Sequence, residues 1–202
     1  MSEHDTHQDE ILITRSRQGD LDAFNQLVLG YQDFVFSVIL RMVRNHATAE
    51  DITQDAFISA YKNIGRMRGV NFRAWVLRIA RNATLDAIRR TDRRPEDSID
   101  DQIVTLGETL PSGEESPEDY ALRQDLGREI DRGLGELPAD QRMAVVMVDV
   151  EGLTYDEAAE AMEVNIGTVK SRLNRGRRRL REWIVANVEQ LPPQFRLHDV
   201  DP

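Results

Sequence analysis

Apolar residues recur at intervals of three and four along almost the whole chain, and strictly alternating runs are nearly absent. A period near 3.6 places apolar side chains on one face of an α-helix, whereas a half-buried strand needs alternation. The clearest stripe runs from Phe24 to Met42. The sequence therefore predicts an all-α protein whose amphipathic helices pack around buried faces.

The helical pattern is interrupted between residues 96 and 116. This segment is acidic, contains two glycines and a proline, and has little periodicity. Such a composition buries too little apolar surface to offset the entropy of ordering it. We predict two small helical domains, 1–95 and 117–190, joined by a flexible acidic linker, 96–116, and followed by a short tail, 191–202. The linker can extend to roughly 70 Å, so the two domains need not touch.

Local signals place the helices of the first domain. Thr48, with Asp51 three positions later, resembles a capping box and predicts the start of a helix. A further helix is predicted to begin near Phe72, and the polar residues 1–10 are predicted to form a disordered tail. The expected inward-facing side chains of the two helices are Ile52, Ala56, Ala60, Tyr61 and Ile64, and then Trp75, Ile79 and Ala83.

The net charge of −10 is unevenly distributed. Residues 96–120 hold nine acidic side chains and no basic one, whereas residues 66–94 hold nine arginines against two aspartates. Screening confines charge effects to about 10 Å at ordinary salt, so local fields decide whether phosphates are bound. A second basic segment, 165–182, holds one lysine and six arginines against one glutamate. An acidic chain with two such basic segments remains compatible with a nucleic-acid partner.

The chain has no cysteine, which excludes disulfides and thiolate metal sites. Its apolar runs are short and residues 1–10 lack the basic and apolar stretches of a signal peptide, so we expect a cytoplasmic protein. The four histidines form no metal-binding motif. Glu50, Asp51 and Asp55 could in principle chelate a cation, but a capped helix N-terminus explains the first two more simply. We predict no metal, no cofactor and no catalysis.

The most specific local signal lies between residues 153 and 183. Thr154 and Glu157 form a capping box that opens a short helix, and a turn at 163–165 leads into a second helix. Two short helices joined in this way are typical of a helix-turn-helix, whose second helix enters the DNA major groove. The outward face of that second helix, 166–182, is predicted to read DNA with Lys170, Ser171, Asn174, Arg175 and Arg178, and Arg177, Arg179 and Arg181 are predicted to extend its positive field.

Five stretches occur in the order found in one family: GDLDAFNQLVLGYQDFVF, AEDITQDAFISAYKNI, FRAWVLRIARNATLDAIRR, LPADQRMAVVM and GLTYDEAAEAMEVNIGTVKSRLNRGRRRLRE. In this order the chain resembles the extracytoplasmic-function (ECF) sigma factors of the sigma-70 family. The resemblance implies that 1–95 is sigma domain 2 and that 117–190 is sigma domain 4. It also implies a bacterial initiation factor that binds core RNA polymerase and promoter DNA.

The same resemblance assigns partners to particular residues. Helix 166–182 would read duplex DNA at the minus-thirty-five element. The loop RMRGVNFRAW and the helix after it would hold melted minus-ten DNA, and the linker would run toward the RNA exit channel. The minus-ten contacts implied are Arg78, Arg81, Asn82 and Arg89, and the residues implied to bind the polymerase clamp helices are Asp51, Gln54, Asp55 and Ile58.

Several features of the chain allow more than one interpretation or depart from the family pattern. Phe72 and Trp75 offer either stacking surfaces for bases or, more simply, core packing. The family commonly has an aromatic residue where Met67 stands, and the loop from Gly69 to Phe72 is short. Both differences from the family pattern bear on which base is preferred at the minus-ten element. The family also implies an anti-sigma factor as a further partner. The alternatives to an initiation factor are a conventional dimeric repressor or activator and a helical adaptor without DNA function.

Overall fold

The structure is a computed structural model that describes residues 3–93 and 117–187. Within these ranges the chain forms helices and turns but no β-strand. The predicted linker, 96–116, and the tail, 191–202, lie outside the described residues. The α-helices are α1 (Glu3–Arg17), α2 (Leu21–Val43), α3 (His46–Asn63), α4 (Phe72–Arg93), α5 (Pro117–Gly135), α6 (Ala139–Val145), α7 (Tyr155–Met162) and α8 (Ile166–Ala186).

The N-terminal bundle, α1 to α4, is built around α2, which contacts each of the other three helices. The predicted apolar stripe of α2 faces inward, with Leu27, Val35 and Ile39 almost fully buried. Phe72, at the start of α4, is completely buried and meets the ring of Phe24 edge-on at 6.2 Å. The spacing of the apolar residues therefore predicts the core of this bundle correctly.

Helix α2 is long and apolar enough to cross a membrane by length and composition, although its individual apolar runs are short. It lies instead at the centre of the N-terminal bundle, with eight of its side chains buried. Asp20 caps its N-terminus by accepting a hydrogen bond from the Ala23 N–H at 3.0 Å. We conclude that α2 is the core helix of a folded domain.

The C-terminal bundle, α5 to α8, is built around α8, which packs against α5, α6 and α7. Helix α6 continues into a π-helical segment, Val146–Val150. Residue Gly176 of α8 faces α6 and is fully covered, and Val169 and Leu173 lie on the same buried side. These three positions form the inward face of the second helix of the predicted helix-turn-helix.

Four local predictions for the N-terminal bundle are wrong. Residues 3–17 form helix α1 rather than a disordered tail, because Leu12 and Ile13 pack into the core. The N-cap of α3 is Asn45, whose side chain accepts a hydrogen bond from the Thr48 N–H at 2.8 Å, and not Thr48 itself. Tyr61 is 42% exposed, and Ala83 of α4 is also exposed, because both lie beside the buried stripes.

The two bundles are in contact, although the sequence suggested that they need not touch. Helix α7 lies along α4, and the buried guanidinium of Arg142 in α6 donates a hydrogen bond to the Met42 carbonyl of α2 at 2.8 Å. Arg44 ends α2 in the left-handed conformation, and its guanidinium occupies space where a Cβ on Gly135 would collide with it. The contact is therefore closely packed at several points.

Candidate nucleic-acid interface

Helices α7 and α8 form the predicted helix-turn-helix. The Thr154 side chain accepts from the Glu157 N–H at 3.2 Å, and the Glu157 carboxylate accepts from the Thr154 N–H at 2.8 Å, so the capping box is complete. Glu163 takes the left-handed conformation that ends α7, with φ at 54°. Asn165 then caps α8 by accepting from the Thr168 N–H at 2.8 Å. Both helix ends at the turn are fixed by local hydrogen bonds.

The outward face of α8 carries the five residues predicted to read DNA, and all of them are exposed. The Arg175 guanidinium donates to the Ser171 carbonyl at 3.2 Å and to the Ser171 hydroxyl at 3.1 Å. The Lys170 ammonium lies 5.6 Å from the centre of the Tyr155 ring. These contacts are local and solvent-exposed, so a base or phosphate can replace them at small cost. The exposed set is Lys170, Ser171, Asn174, Arg175 and Arg178.

Two other arginines of α8 are already paired. Arg177 makes two hydrogen bonds to the Asp149 carboxylate, at 2.9 and 2.5 Å, and this pairing raises the pKa of its guanidinium. Arg172 pairs with Asp140 at 3.1 Å. In the sequence, Arg177 was counted toward the positive field along the phosphates. In the structure it pairs with Asp149 and so joins α8 to the π-helical segment.

The residues expected at the minus-ten element lie on α4 but are not equally accessible. Asn82 and Arg89 are exposed, and Arg89 pairs with Asp86 at 2.8 Å on the helix surface. Arg81 is 23% exposed and pairs with Glu163 at 3.3 Å. Arg78 is half-buried and lines a hollow of about 680 Å³ beside the turn between α7 and α8. The C-terminal bundle therefore covers half of the expected surface.

The aromatic side chains of α4 belong to the core. Phe72 is fully buried and Trp75 is 3% exposed, so neither presents a stacking surface in this arrangement. Met67, which stands where the family commonly has an aromatic residue, is also buried, at 4% exposed. The simpler of the two readings of Phe72 and Trp75, core packing, is confirmed.

Sequence reasoning missed two residues that shape the loop before α4. Arg17 of α1 donates to the Met67 carbonyl at 2.7 Å and to the Gly69 carbonyl at 3.2 Å. Asn71 caps α4 by accepting from the Ala74 N–H at 3.0 Å, and its amide donates to Glu157 at 3.2 Å. An asparagine just before a helix was a usable sequence signal. The contact between Arg17 and the Met67 carbonyl, fifty positions along the chain, leaves no such signal in the sequence.

Glu157 is consequently held by both bundles. Burial raises the pKa of its carboxyl, but hydrogen bonds from Thr154 and Asn71, together with the charge of Arg73, outweigh it and hold that pKa below the usual value. A glutamate stabilised in this way stays ionised near neutral pH. Glu157 thus caps α7 and also joins α7 to the N-terminus of α4.

A groove of about 760 Å³ runs between α2 and α3 on another side of the N-terminal bundle. Asp51, Gln54 and Ile58 line it, whereas Asp55 is exposed beside it. Ile58 is 45% exposed, and Phe24 and Val28 supply apolar surface to the floor. Three of the four residues expected to bind a polymerase thus share one partly apolar groove that is open to solvent.

No group of three or more His, Asp or Glu side chains within the described ranges is placed to hold a metal ion.

Comparison with known proteins matches both bundles to one family. Residues 27–94 match the family model for Sigma-70 region 2, and residues 127–180 match that for Sigma-70 region 4. The chain is 37% identical over 174 residues to the RNA polymerase sigma-H factor of Pseudomonas aeruginosa, covering 84% of this chain and 90% of the relative. It is also 37% identical over 175 residues to the ECF RNA polymerase sigma-E factor of Escherichia coli, with the same coverage.

Solved structures have the same architecture. The sigma factor RpoE of Bartonella quintana, in complex with the anti-sigma factor NepR, aligns with a TM-score of 0.58 at 30% identity, over 80% of this chain and 96% of RpoE. CnrH, in complex with the cytosolic domain of CnrY, aligns with a TM-score of 0.65 over 89% of this chain and 99% of CnrH. At 23% identity, CnrH shows the fold alone. The chain belongs to the sigma-70 family, in its ECF branch, and is a sigma factor that initiates transcription with RNA polymerase.

Proposed function

We propose that this sigma factor directs core RNA polymerase to promoters by reading duplex minus-thirty-five DNA with α8 and melted minus-ten DNA with α4. The observation that carries the proposal is the exposed polar face of α8, seated on a fully capped helix-turn-helix. Asn174 and Arg175 can each make two hydrogen bonds to a purine edge, whereas Lys170 and Ser171 suit phosphate or single contacts. The protein would act without metal or cofactor and would catalyse no reaction of its own, and it would work in the cytoplasm with its polymerase.

At the minus-ten element, the N-terminal bundle would hold the separated strand along Arg78, Arg81, Asn82 and Arg89. Positively charged grooves bind single-stranded DNA through its phosphates, and this binding can offset the few kcal/mol needed to unstack each opened base. The loop 67–71 stands beside this helix and is held in place by Arg17. Since Met67, Phe72 and Trp75 are buried, we expect base recognition to depend on polar and backbone groups.

The groove between α2 and α3 is proposed as the surface for the polymerase clamp helices. It combines apolar floor residues with Asp51, Gln54 and Ile58 on its rim, which suits a helical partner with apolar and basic side chains. Asp55 extends the acidic rim.

An anti-sigma factor is proposed as a further partner. Support comes from RpoE of Bartonella quintana, which was solved bound to the anti-sigma factor NepR. Purification of the sigma factor from its native host should bring down such an antagonist. Its absence under all growth conditions would contradict this part of the proposal.

Run-off transcription with purified core enzyme on a library of promoter fragments tests the main proposal. Arg175→Ala should relax sequence preference at one position of the minus-thirty-five element, by about 1–3 kcal/mol of lost discrimination. Arg181→Ala removes an equal charge from the exposed surface of the same helix and should weaken all promoters alike. Equal effects of the two substitutions on sequence preference would refute reading by α8, and no transcripts from the unmodified protein would refute promoter selection.

Binding to core enzyme tests the groove. Ile58→Asp places a charge on the rim of the groove and should weaken core binding at least tenfold, about 1.4 kcal/mol. Leu29→Asp is the matched control, because Leu29 is 69% exposed on the same bundle and does not line the groove. If both variants bind core enzyme equally well, the groove is not the polymerase surface.

A further inference from the structure

The loop 67–71, which precedes α4, turns two of its main-chain carbonyls toward helix α1. One terminal nitrogen of the Arg17 guanidinium, Nη2, donates to the Met67 carbonyl at 2.7 Å and to the Gly69 carbonyl at 3.2 Å. Met67 is buried, but residues 68–70 are exposed. Within the described ranges, the bond from Arg17 to the Gly69 carbonyl is the one side-chain hydrogen bond that reaches this exposed part of the loop.

The direction of these two carbonyls also fixes the direction of the N–H groups that follow them. A trans peptide unit is planar, so its C=O and its N–H point in opposite directions. The carbonyls of Met67 and Gly69 point toward Arg17, and the N–H groups of Arg68 and Val70 therefore point away from it. Neither N–H group has an acceptor in the described part of the chain. The loop thus presents two unpaired donors on the side opposite Arg17.

The helical turn that carries Arg17 is itself well anchored. Ser16 is 2% exposed, and its hydroxyl donates to the Leu12 carbonyl at 2.7 Å. Arg15 pairs with Asp20, which is the N-cap of α2. The last turn of α1 is therefore fixed against the N-terminal bundle, and the Arg17 side chain reaches the loop from a rigid base.

We propose that Arg17 is a positioning residue for the minus-ten element. It holds the N–H groups of Arg68 and Val70 in the arrangement that receives an unstacked base, and it does so without touching DNA itself. This inference rests on the proposed function, in which the loop 67–71 and α4 hold the melted strand. It adds helix α1 to the parts of the chain that promoter melting requires.

The cost of ordering a loop explains why such a tether affects recognition. An unstacked base is read through hydrogen bonds to its exposed edge. Donors that are already in place meet that edge directly, whereas a free loop must lose backbone freedom when the base binds. Gly69 has a φ of 78° and, as a glycine, would be especially free without its bond to Arg17. The tether therefore restricts the loop at its most adaptable residue.

The test uses holoenzyme assembled from the full chain and core RNA polymerase, with a promoter selected by run-off transcription. The probes are fluorescein-labelled fork DNAs with a single-stranded minus-ten strand, substituted by each base at each unpaired position. Arg17→Ala should weaken binding of the preferred fork about tenfold and should reduce the ratio of best to worst base at one position roughly threefold or more. A bundle that is merely destabilised would lose affinity for all bases alike, and that result would overturn the proposal.

Arg15→Ala is the matched control, because it removes an equal charge from the same turn of α1 and breaks only the pair with Asp20. It should leave the fork affinity and the base ratio unchanged, and an effect equal to that of Arg17→Ala would contradict positioning by Arg17. Salt dependence separates positioning from direct binding, because each single-strand phosphate contact contributes about 0.7 to the slope of log affinity against log salt. Arg17→Ala should leave this slope unchanged. A fall of about 0.7 would identify Arg17 as a phosphate ligand and overturn the inference.

Gly69→Ala perturbs the same loop independently. No atom lies within 4 Å of the added Cβ, so the substitution acts through the strain of alanine at this φ. It should reduce the same base ratio, and Arg17→Ala/Gly69→Ala should lose less than the product of the two single effects. Independent, multiplicative losses would show that Arg17 does not act through the loop.

Failure of the inference and failure of the proposed function give different results. Unmodified holoenzyme that binds forked and fully paired minus-ten DNA equally well would refute the minus-ten role itself. A preference for forked DNA whose base ratio survives Arg17→Ala would leave that role intact and refute only positioning by Arg17.

Discussion

The substitution Gly176→Ala adds one methyl group to the closest approach of α8 to α6. A Cβ at this position would lie 2.7 Å from Cγ2 of Val145, 3.2 Å from the carbonyl oxygen of Gln141 and 3.4 Å from Cδ2 of Leu137. Val145 is 2% exposed and the Gln141 carbonyl is helical backbone, so neither can turn away freely. Helices α6 and α8 must separate to admit the methyl group.

The magnitude follows from two opposing effects. Overpacking a closely packed interior typically costs about 1–3 kcal/mol. Alanine is favoured over glycine within a helix by about 1 kcal/mol, which offsets part of that cost. We expect Gly176→Ala to lower the free energy of unfolding of the C-terminal bundle by about 1 kcal/mol. For a domain of this size, that corresponds to a fall in melting temperature of about 4–8 °C.

Gly30→Ala is the matched control, because it makes the same change in the middle of α2. Gly30 is exposed, and no heavy atom lies within 4 Å of the added Cβ. Only the helix-propensity effect remains, so Gly30→Ala should stabilise the protein by up to about 1 kcal/mol. Urea unfolding followed by circular dichroism should give shifts of opposite sign. Stabilisation by Gly176→Ala equal to that by Gly30→Ala would refute the close packing of α6 and α8.

Three further predictions concern the caps and the loop. Thr154→Ala should destabilise the C-terminal bundle by about 1 kcal/mol in thermal unfolding, because it removes half of the capping box. Glu157 has a lowered pKa, so the stability that its ionised carboxylate contributes is complete at neutral pH and is lost as the pH falls through its folded-state pKa. On acid titration, Glu157→Gln should therefore lose less free energy of unfolding than the unmodified protein. Identical acid profiles of the two proteins would contradict this. Arg17→Ala should speed amide hydrogen exchange in the loop 67–71, whereas Arg15→Ala, which breaks only a pair with Asp20, should leave that loop unchanged.

Local sequence signals predict much of the C-terminal bundle. The capping box of Thr154 and Glu157, the turn at Glu163 and the outward face of α8 all depend on residues that follow one another at steps of four positions or fewer. Hydrogen bonds of this range leave a recognisable spacing in the sequence. Family resemblance adds what spacing alone cannot supply for the N-terminal bundle, whose helices are only amphipathic and arginine-rich.

The parts that could not be predicted depend on residues far apart in the chain. Arg41 and Glu151, which pair between the two bundles, are 110 positions apart, and neither belongs to a periodic pattern that would indicate a partner. Helix α1 was missed because its few apolar side chains, Leu12 and Ile13 among them, stand among many charged ones. Asn45 was passed over as a cap because Thr48 offers a similar spacing three residues later. In these cases, contacts between residues distant in the chain determine which of the locally possible helix boundaries and pairings forms.

The two left-handed helix ends have a consequence for how the bundles could separate during evolution or design. Among the described residues, Arg44 and Glu163 are the non-glycine positions with positive φ, and each ends a helix where glycine is the usual occupant. Both side chains extend to the opposite bundle, Arg44 to Gly135 and Glu163 to Arg81. Glycine at either position would relax the helix terminus but would also remove a side-chain contact between the two bundles. At these two positions, a substitution that stabilises the helix end therefore weakens the contact between the bundles.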